Sequence, residues 1–216
     1  MFRRRTSLSL SAAAAVLVAA PLLTACGSDA HPGAAAVVDG ERITVSQVQS
    51  KVRAVRDAQR ATGEGDQLVK NTEQLTRGTL STLVFQRVLE RAAEDAGVTV
   101  TRGDVQRARE DAERSVGGAD ELRSMMLRQR AVAPDEIDDA VRAQLLVQRL
   151  AGKLGVDVQT PQGQQRMTEA LAEASRKLDV TVNPRYGTWD DRQITLAETE
   201  EPWIKNVSRP EPQQPA

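Results

Sequence analysis

The chain repeatedly places apolar residues at the spacing of one helix face. The first such stripe comprises Val45, Val48, Val52 and Val55. Apolar positions that alternate at three and four residues form a continuous stripe on an α-helix. Thr44 stands just before this stripe and Gln47 follows three residues later, which is the pattern of a capping box. We therefore expect a first helix to begin directly after Thr44.

Five further helices are predicted by the same periodicity. The second spans roughly residues 66–96, after a break that contains two glycines, and the third begins at Thr101. A short fourth helix follows Gly117 and Gly118, a fifth opens at Pro134, and a sixth opens at Thr160 with Pro161. Proline is favoured at the first position of a helix and glycine just beyond the last. The sequence thus predicts a mainly α fold.

Two regions predict a small β-structure. Ala36–Val38 and Arg42–Ile43 flank Asp39-Gly40, and Asp-Gly between short apolar runs is a strong signal for a hairpin. Val180–Val182 predicts a further strand near the end of the chain. From residue 188 to residue 216 we see no clear period, and several prolines there favour an irregular tail.

The N-terminus has the layout of an export signal. Three consecutive arginines precede the uncharged, mostly apolar stretch 8–23, which is shorter than a comfortable membrane span of about 20 apolar residues. The stretch ends in Leu23-Thr24-Ala25-Cys26, which resembles the lipobox of bacterial lipoproteins. This resemblance implies cleavage after Ala25 and lipid on Cys26, with residues 26–35 as a tether. We therefore expect attachment at the extracytoplasmic face of the cell membrane.

Composition narrows the class of function. Without the three arginines of residues 1–25, 26 basic and 30 acidic residues remain, a net charge of −4. Such a balance gives no electrostatic reason to expect a nucleic-acid partner. Cys26 is the only cysteine, so no internal disulfide is expected and stability must come from packing. Aromatic residues are scarce, and the core is expected to consist of Leu, Val, Ala and Met.

A search for catalytic chemistry is negative. His31 is the single histidine and lies in the predicted tether, and one histidine cannot build a zinc site or a catalytic triad. Gly63-Glu64-Gly65 lacks the remainder of a phosphate-binding loop. The pairs Asp138-Asp139 and Asp190-Asp191 are interpreted as solvated carboxylates, since adjacent helix residues do not face each other. We expect no enzyme activity, no cofactor, no metal and no bound nucleotide.

Four residues are candidates for binding other polypeptides. Met125 and Met126 could line an adaptable groove, because methionine repacks against varied partners. Tyr186 and Trp189 belong to a group of aromatic residues near the C-terminus that could offer an exposed patch. The alternative for all four is that they fill or cover the core, and for each pair this alternative has the greater weight.

The order of these elements is similar to that of SurA-type N-terminal domains. The resemblance is carried by residues 36–44, which read A-V-V-D-G-E-R-I-T, by residues 92–105, and by residues 119–150. It implies a helical domain over residues 36–187 with a small N-terminal hairpin, joined by the strand at residues 180–182. In SurA, PrsA and trigger factor such a module binds unfolded or partly folded chains without ATP. The roughly 60 residues after Gly155 are too few for a parvulin prolyl isomerase domain and contain no histidine.

The preferred hypothesis is a membrane-anchored, ATP-independent, chaperone-like binder of unfolded or exported polypeptides. A scaffold lipoprotein for one specific envelope partner remains an alternative, because fold alone does not determine function. A foldase related to prolyl isomerases is a second alternative, against which the missing histidines count.

Overall fold

A computed structural model describes residues 33–62 and 72–197. Within these ranges the chain is mainly helical, as predicted. The helices are α1 (Val45–Ala61), α2 (Thr72–Asp95), α3 (Arg102–Val116), α4 (Ala119–Arg130), α5 (Ile137–Leu154) and α6 (Pro161–Lys177). The predicted signal peptide with Ala25, the lipidation site Cys26, nearly all of the tether and the glycine break at residues 63–65 lie outside the described residues.

Local sequence signals set several helix ends. Thr44 Oγ1 accepts a hydrogen bond from the amide of Gln47, and the Gln47 side chain accepts one from the Thr44 amide, which completes the predicted capping box. Thr101 and Asp104 form a second capping box at the start of α3. Gly155 adopts a left-handed conformation and ends α5. Pro134 differs from expectation, since it opens a single 3-10 turn before α5 begins.

The predicted hairpin is present and gains a third strand. β1 (Ala34–Val38) and β2 (Glu41–Thr44) pair through a turn in which Asp39 and Gly40 have φ angles of 52° and 75°. β3 (Thr181–Val182) pairs antiparallel with β1 on its other side, giving the order β2-β1-β3. The structure therefore confirms the predicted closing strand. β1 begins at Ala34, two residues before the predicted start of the domain at Ala36.

The expectation of an irregular tail from residue 188 is wrong for residues 188–197. This segment forms a two-stranded hairpin of β4 (Thr188–Asp190) and β5 (Thr195–Ala197). Trp189 on β4 is only 8% exposed and its indole Nε1 donates to Ser175 Oγ on α6 at 2.8 Å. Burial of this large side chain explains why so short a segment is ordered.

The core is centred on α2. Leu80, Val84, Val88 and Leu89 of this helix are almost completely buried, and the helix packs against α1, α5, α6 and β1. Leu80, Val84 and Val88 are four residues apart and Leu89 follows directly, which places these side chains on one broad stripe. Because α2 contacts elements on several sides, its position determines which faces of the other helices are covered.

Candidate functional site

An open groove of about 740 Å³ lies between α1, α2 and α5, with the C-terminal end of α4 beside it. We refer to it as the helical groove. Its apolar lining is Val55, Leu75, Leu83, Phe85, Ala131, Val132, Ala140, Ala143 and Val147. Except for Val55, these residues remain partly exposed. A cavity of roughly 300–1,000 Å³ with a mostly apolar lining is typical of a ligand site.

The groove is open because of the way in which three helices pack. α2 contacts both α1 and α5 closely, whereas α1 and α5 have few direct contacts with each other. α2 therefore forms the floor, and α1 and α5 form the two walls. Leu83 and Phe85 are on the part of α2 that lies beside the fully buried stripe, so their side chains reach this space.

A salt bridge crosses one side of the helical groove. Lys51 Nζ on α1 lies 2.7 Å from Glu136 Oε1 in the 3-10 turn before α5, and both side chains are partly buried. Beyond this pair lies a more polar depression of about 650 Å³, whose lining includes Arg42, Arg87 and Arg142. Lys51 and Glu136 line both spaces. The salt bridge thus marks the boundary between an apolar and a charged part of one cleft.

Uncharged polar side chains also line the helical groove. They are Gln59, Gln74, Gln86, Gln144, Thr79 and Thr82. Amides and hydroxyls can donate and accept hydrogen bonds, so they can pair with the backbone of an extended chain whatever its sequence. The lining therefore offers apolar surface for client side chains and hydrogen-bonding groups for peptide backbone.

The four candidate binding residues are not in the helical groove. Met126, Tyr186 and Trp189 are 7%, 8% and 8% exposed and belong to hydrophobic clusters. Met125 is partly buried and packs beside Met126 in a cluster with Ile137. Met126, Tyr186 and Trp189 therefore pack in the core, as the alternative interpretation has it, whereas Met125 is only partly buried. Client binding by these four residues stays a prediction.

Phe85 is the aromatic residue of the groove that sequence reasoning overlooked. It follows Val84 directly, so it points about 100° away from the buried stripe of α2. An apolar side chain at such a position was the available signal for exposed apolar surface. Lys51 and Glu136 were also missed, since they are 85 residues apart in sequence.

The ionisable groups with shifted pKa values stabilise the fold and lie outside the helical groove. A hydrogen bond from Lys177 lowers the pKa of Asp95, and the pKa of Lys177 is raised in return. A hydrogen bond from Arg149, together with Thr101, holds the pKa of Asp104 far below its usual range. Asp138 is 55% exposed, as predicted for a solvated carboxylate, and it also accepts a hydrogen bond from Arg109 at 2.7 Å that raises the pKa of that arginine.

Asp191 was likewise interpreted as a solvated carboxylate, but it accepts a hydrogen bond from Ser175 Oγ at 2.5 Å. Its neighbour Asp190 accepts hydrogen bonds from two backbone amides in the turn between β4 and β5. Both carboxylates therefore hold local structure. In residues 33–62 and 72–197 there is no group of three or more histidine, cysteine or acidic residues able to hold a metal. No helix in these same ranges has the length and hydropathy needed to cross a bilayer.

Comparison with known protein families assigns the chain to one of them. The model of the SurA-like N-terminal domain family matches residues 1–151, which is more than two thirds of the chain. The matched range includes β1, β2, α1 to α4 and almost all of α5, and therefore every residue that lines the helical groove. No curated protein and no solved structure matches significantly. The chain belongs to the SurA-like N-terminal domain family, a family of chaperone-like modules.

Proposed function

We propose that the protein is a membrane-anchored lipoprotein that binds unfolded or exported polypeptides without ATP. The observation that carries this proposal is the helical groove, an open and mostly apolar space between α1, α2 and α5. A chain that has not yet folded exposes apolar side chains that need such a surface. Family membership supports the same general role, since the matched range includes all the groove residues.

The chemistry of the groove favours many clients rather than one. Burial of apolar surface is non-directional and depends mainly on area, so different sequences can be accommodated by the same lining. The glutamines and threonines of the lining can form hydrogen bonds with peptide backbone, which all clients share. Binding therefore does not require recognition of a specific side chain of the client.

The expected affinity is weak enough for release without an energy source. Burying one Val, Leu or Phe side chain contributes about 1.5–3 kcal/mol, so two or three client side chains contribute roughly 3–9 kcal/mol. Association itself costs about 4 kcal/mol or more. The difference is at most about 5 kcal/mol, which corresponds to dissociation constants of roughly 0.2 mM or weaker, and clients can therefore exchange spontaneously.

The anchor is the lipid proposed at Cys26. One acyl chain gives only marginal attachment, and two or more give stable anchoring. Such an anchor would keep the groove at the surface where exported chains emerge. Intact mass spectrometry of the protein extracted from membranes tests this anchor, and we expect acyl chains on an N-terminal Cys26. In a second experiment, cell fractionation, we expect a Cys26→Ser variant to be released from the membrane fraction. An unmodified cysteine would remove the anchor from the proposal.

A matched pair of substitutions tests the groove. Val147 lines it from α5, whereas the next residue, Gln148, is exposed and does not line it. We expect the mature protein to suppress aggregation of a chemically denatured client, Val147→Lys to weaken this suppression at least tenfold, and Gln148→Lys to leave it unchanged. Each variant adds the same charge at almost the same place, so charge alone cannot explain a difference.

Two results would contradict the proposal. One is a mature protein that folds, as judged by circular dichroism, but does not suppress aggregation. The other is equal behaviour of the two lysine variants. Crosslinking in cells distinguishes the scaffold alternative, since a scaffold gives one dominant partner and a chaperone gives many.

A further inference from the structure

One of the glutamines that line the helical groove is buried. Gln74 and Gln144 are exposed, Gln86 is partly buried, and Gln59, near the C-terminal end of α1, is only 8% exposed. Glutamine is mostly found at the protein surface. The burial of Gln59 in the lining of an open groove therefore calls for a physical reason.

The side-chain amide of Gln59 has no hydrogen-bond partner in the part of the chain that the structure describes. Its backbone carbonyl accepts hydrogen bonds from the amide and hydroxyl of Thr62, at 3.2 and 2.8 Å. By contrast, the buried hydroxyl of Ser175 both accepts and donates a hydrogen bond. Folded proteins pair almost all of their buried polar groups. A buried amide that faces a groove and lacks a partner is therefore a candidate contact for a molecule that enters the groove.

Three residues of α1 line the helical groove in a single row. Lys51, Val55 and Gln59 follow one another at four-residue intervals, which places them on one face of the helix. Lys51 marks one end of the row through its salt bridge with Glu136, and Gln59 is the other end. A rise of 1.5 Å per residue separates these ends by about 12 Å. An extended chain advances about 3.3 Å per residue, so roughly four client residues can lie across Val55 and place one peptide group at Gln59.

The unpaired amide favours an extended client over a helical one. A glutamine side chain carries two donor hydrogens and one acceptor oxygen, and the peptide groups of an extended segment offer the complementary N–H and C=O. In a helix these groups are already bonded to each other. A helical client would displace water from the groove and leave the Gln59 amide buried without a partner, which opposes binding.

We propose that Gln59 binds the peptide backbone of the client and thereby selects extended segments over helical ones. This inference rests on the proposed binding of polypeptides in the helical groove, and it names the conformation of the substrate. The selection concerns backbone and not side chains, so it is compatible with many client sequences. A chain that has not folded offers free peptide groups, whereas the helices of a folded protein do not.

Two peptides of different conformation test the proposal. The first has eight residues of alternating valine and serine, which are too few for a stable helix and favour an extended chain. The second has twenty residues of alanine, leucine and lysine with one apolar stripe, and circular dichroism confirms that it is helical. NMR titration of the mature protein with Cys26→Ser gives both dissociation constants. Their ratio reports conformational selection, because a variant that acts on both peptides alike leaves the ratio unchanged.

Gln59→Met removes the amide and keeps a side chain of similar length. Loss of one buried hydrogen bond is expected to shift the ratio by about fivefold or more, against the extended peptide. Gln144→Met makes the same chemical change in the same groove, at an exposed position of α5. We expect this control to shift the ratio less than about twofold, since an exposed amide can keep its contact with water. Methionine and glutamine have similar helix propensities, so both variants are expected to fold, which circular dichroism checks.

A second measurement needs no substitution in the groove. The side-chain amide hydrogens of Gln59 should exchange with water more slowly when the extended peptide is bound, because a hydrogen bond protects them. Those of Gln144 should exchange at the same rate with and without the peptide. A glutamine with a purely structural role would show no such dependence on the client.

Three outcomes would overturn the proposal. They are an unchanged ratio in Gln59→Met, equal shifts in the two methionine variants, and exchange of the Gln59 amide hydrogens that does not respond to the extended peptide. The behaviour of the protein without a groove substitution separates two levels of failure. If it binds neither peptide and does not suppress aggregation, the proposed function and this inference fall together. If it binds clients but Gln59→Met behaves like Gln144→Met, this inference alone falls.

Discussion

Gly78 offers a way to alter the helical groove while stabilising the fold. It lies within α2 and lines the groove, and a Cβ added there would meet no atom within 4 Å. Glycine in a helix interior is about 0.8–1 kcal/mol less favourable than alanine, and glutamine is among the better helix formers. Gly78→Gln is therefore expected to raise the free energy of unfolding by roughly 0.5–1 kcal/mol. In a domain of this size that corresponds to about 1–4 °C in Tm.

The same substitution should weaken client binding. The new side chain occupies space in the groove, so a client must either give up one apolar contact or bury the amide without a partner. The first costs about 1.5–3 kcal/mol and the second about 1–3 kcal/mol. We expect a client affinity reduced roughly tenfold to a hundredfold, measured by anisotropy of a labelled unfolded polypeptide and by suppression of aggregation.

Gly152→Gln is the matched control for this prediction. Gly152 lies within α5, is exposed, does not line the groove, and also has open space around a new Cβ. It should gain stability without loss of client binding. The reasoning would be refuted if Gly78→Gln melted at a higher temperature and still bound clients as tightly as the unaltered protein.

Three further predictions concern stability. Ser175→Ala removes the hydrogen-bond acceptor of the buried Trp189 indole. An unsatisfied buried donor lowers the free energy of unfolding by about 1–3 kcal/mol, and an unchanged urea midpoint would contradict this expectation. Gly163→Ala places a Cβ 1.8 Å from the carbonyl oxygen of Asp157, so the turn before α6 must shift. Overpacking of this kind lowers the free energy of unfolding by about 1–3 kcal/mol. A Tm equal to that of the parent protein would exclude the clash. The pKa of Asp104 is lowered from its usual 3.8. Its contribution to the free energy of unfolding is therefore present above pH 3.8 and is lost as the pH falls further. Asp104→Asn should therefore lose less stability than the parent between pH 4 and pH 2 in urea titrations, and parallel curves would show that Asp104 does not contribute.

Many local features could be predicted because they depend on neighbours in sequence. A capping box joins residues three apart, so Thr44 with Gln47 fixed the start of α1. The Asp39-Gly40 turn followed from the need for positive φ at both positions. The buried stripe of α2 followed from its periodicity, although its boundaries needed the structure.

The hairpin of β4 and β5 could not be predicted because its signals are weak. Each strand has three residues, and the connecting turn contains no glycine and instead places Ile194 at φ 53°. The hairpin is ordered because Trp189 is buried against Ser175 and because Asp191 accepts a hydrogen bond from the Ser175 hydroxyl. These contacts join residues 14 and 16 positions apart and exist only once α6 is in place.

The sequence by itself thus determined the class of fold, the starts of α1, α3 and α6, and the first hairpin. Tertiary structure alone decided which apolar side chains are available to a partner. The sequence left open whether Met126, Tyr186 and Trp189 are exposed, with burial as the weightier alternative, and packing covers them. Phe85 and Val147 stay partly exposed because α1 and α5 both rest on α2 without closing over it. Exposure depends on how distant helices pack together, and that information is not contained in any one helix.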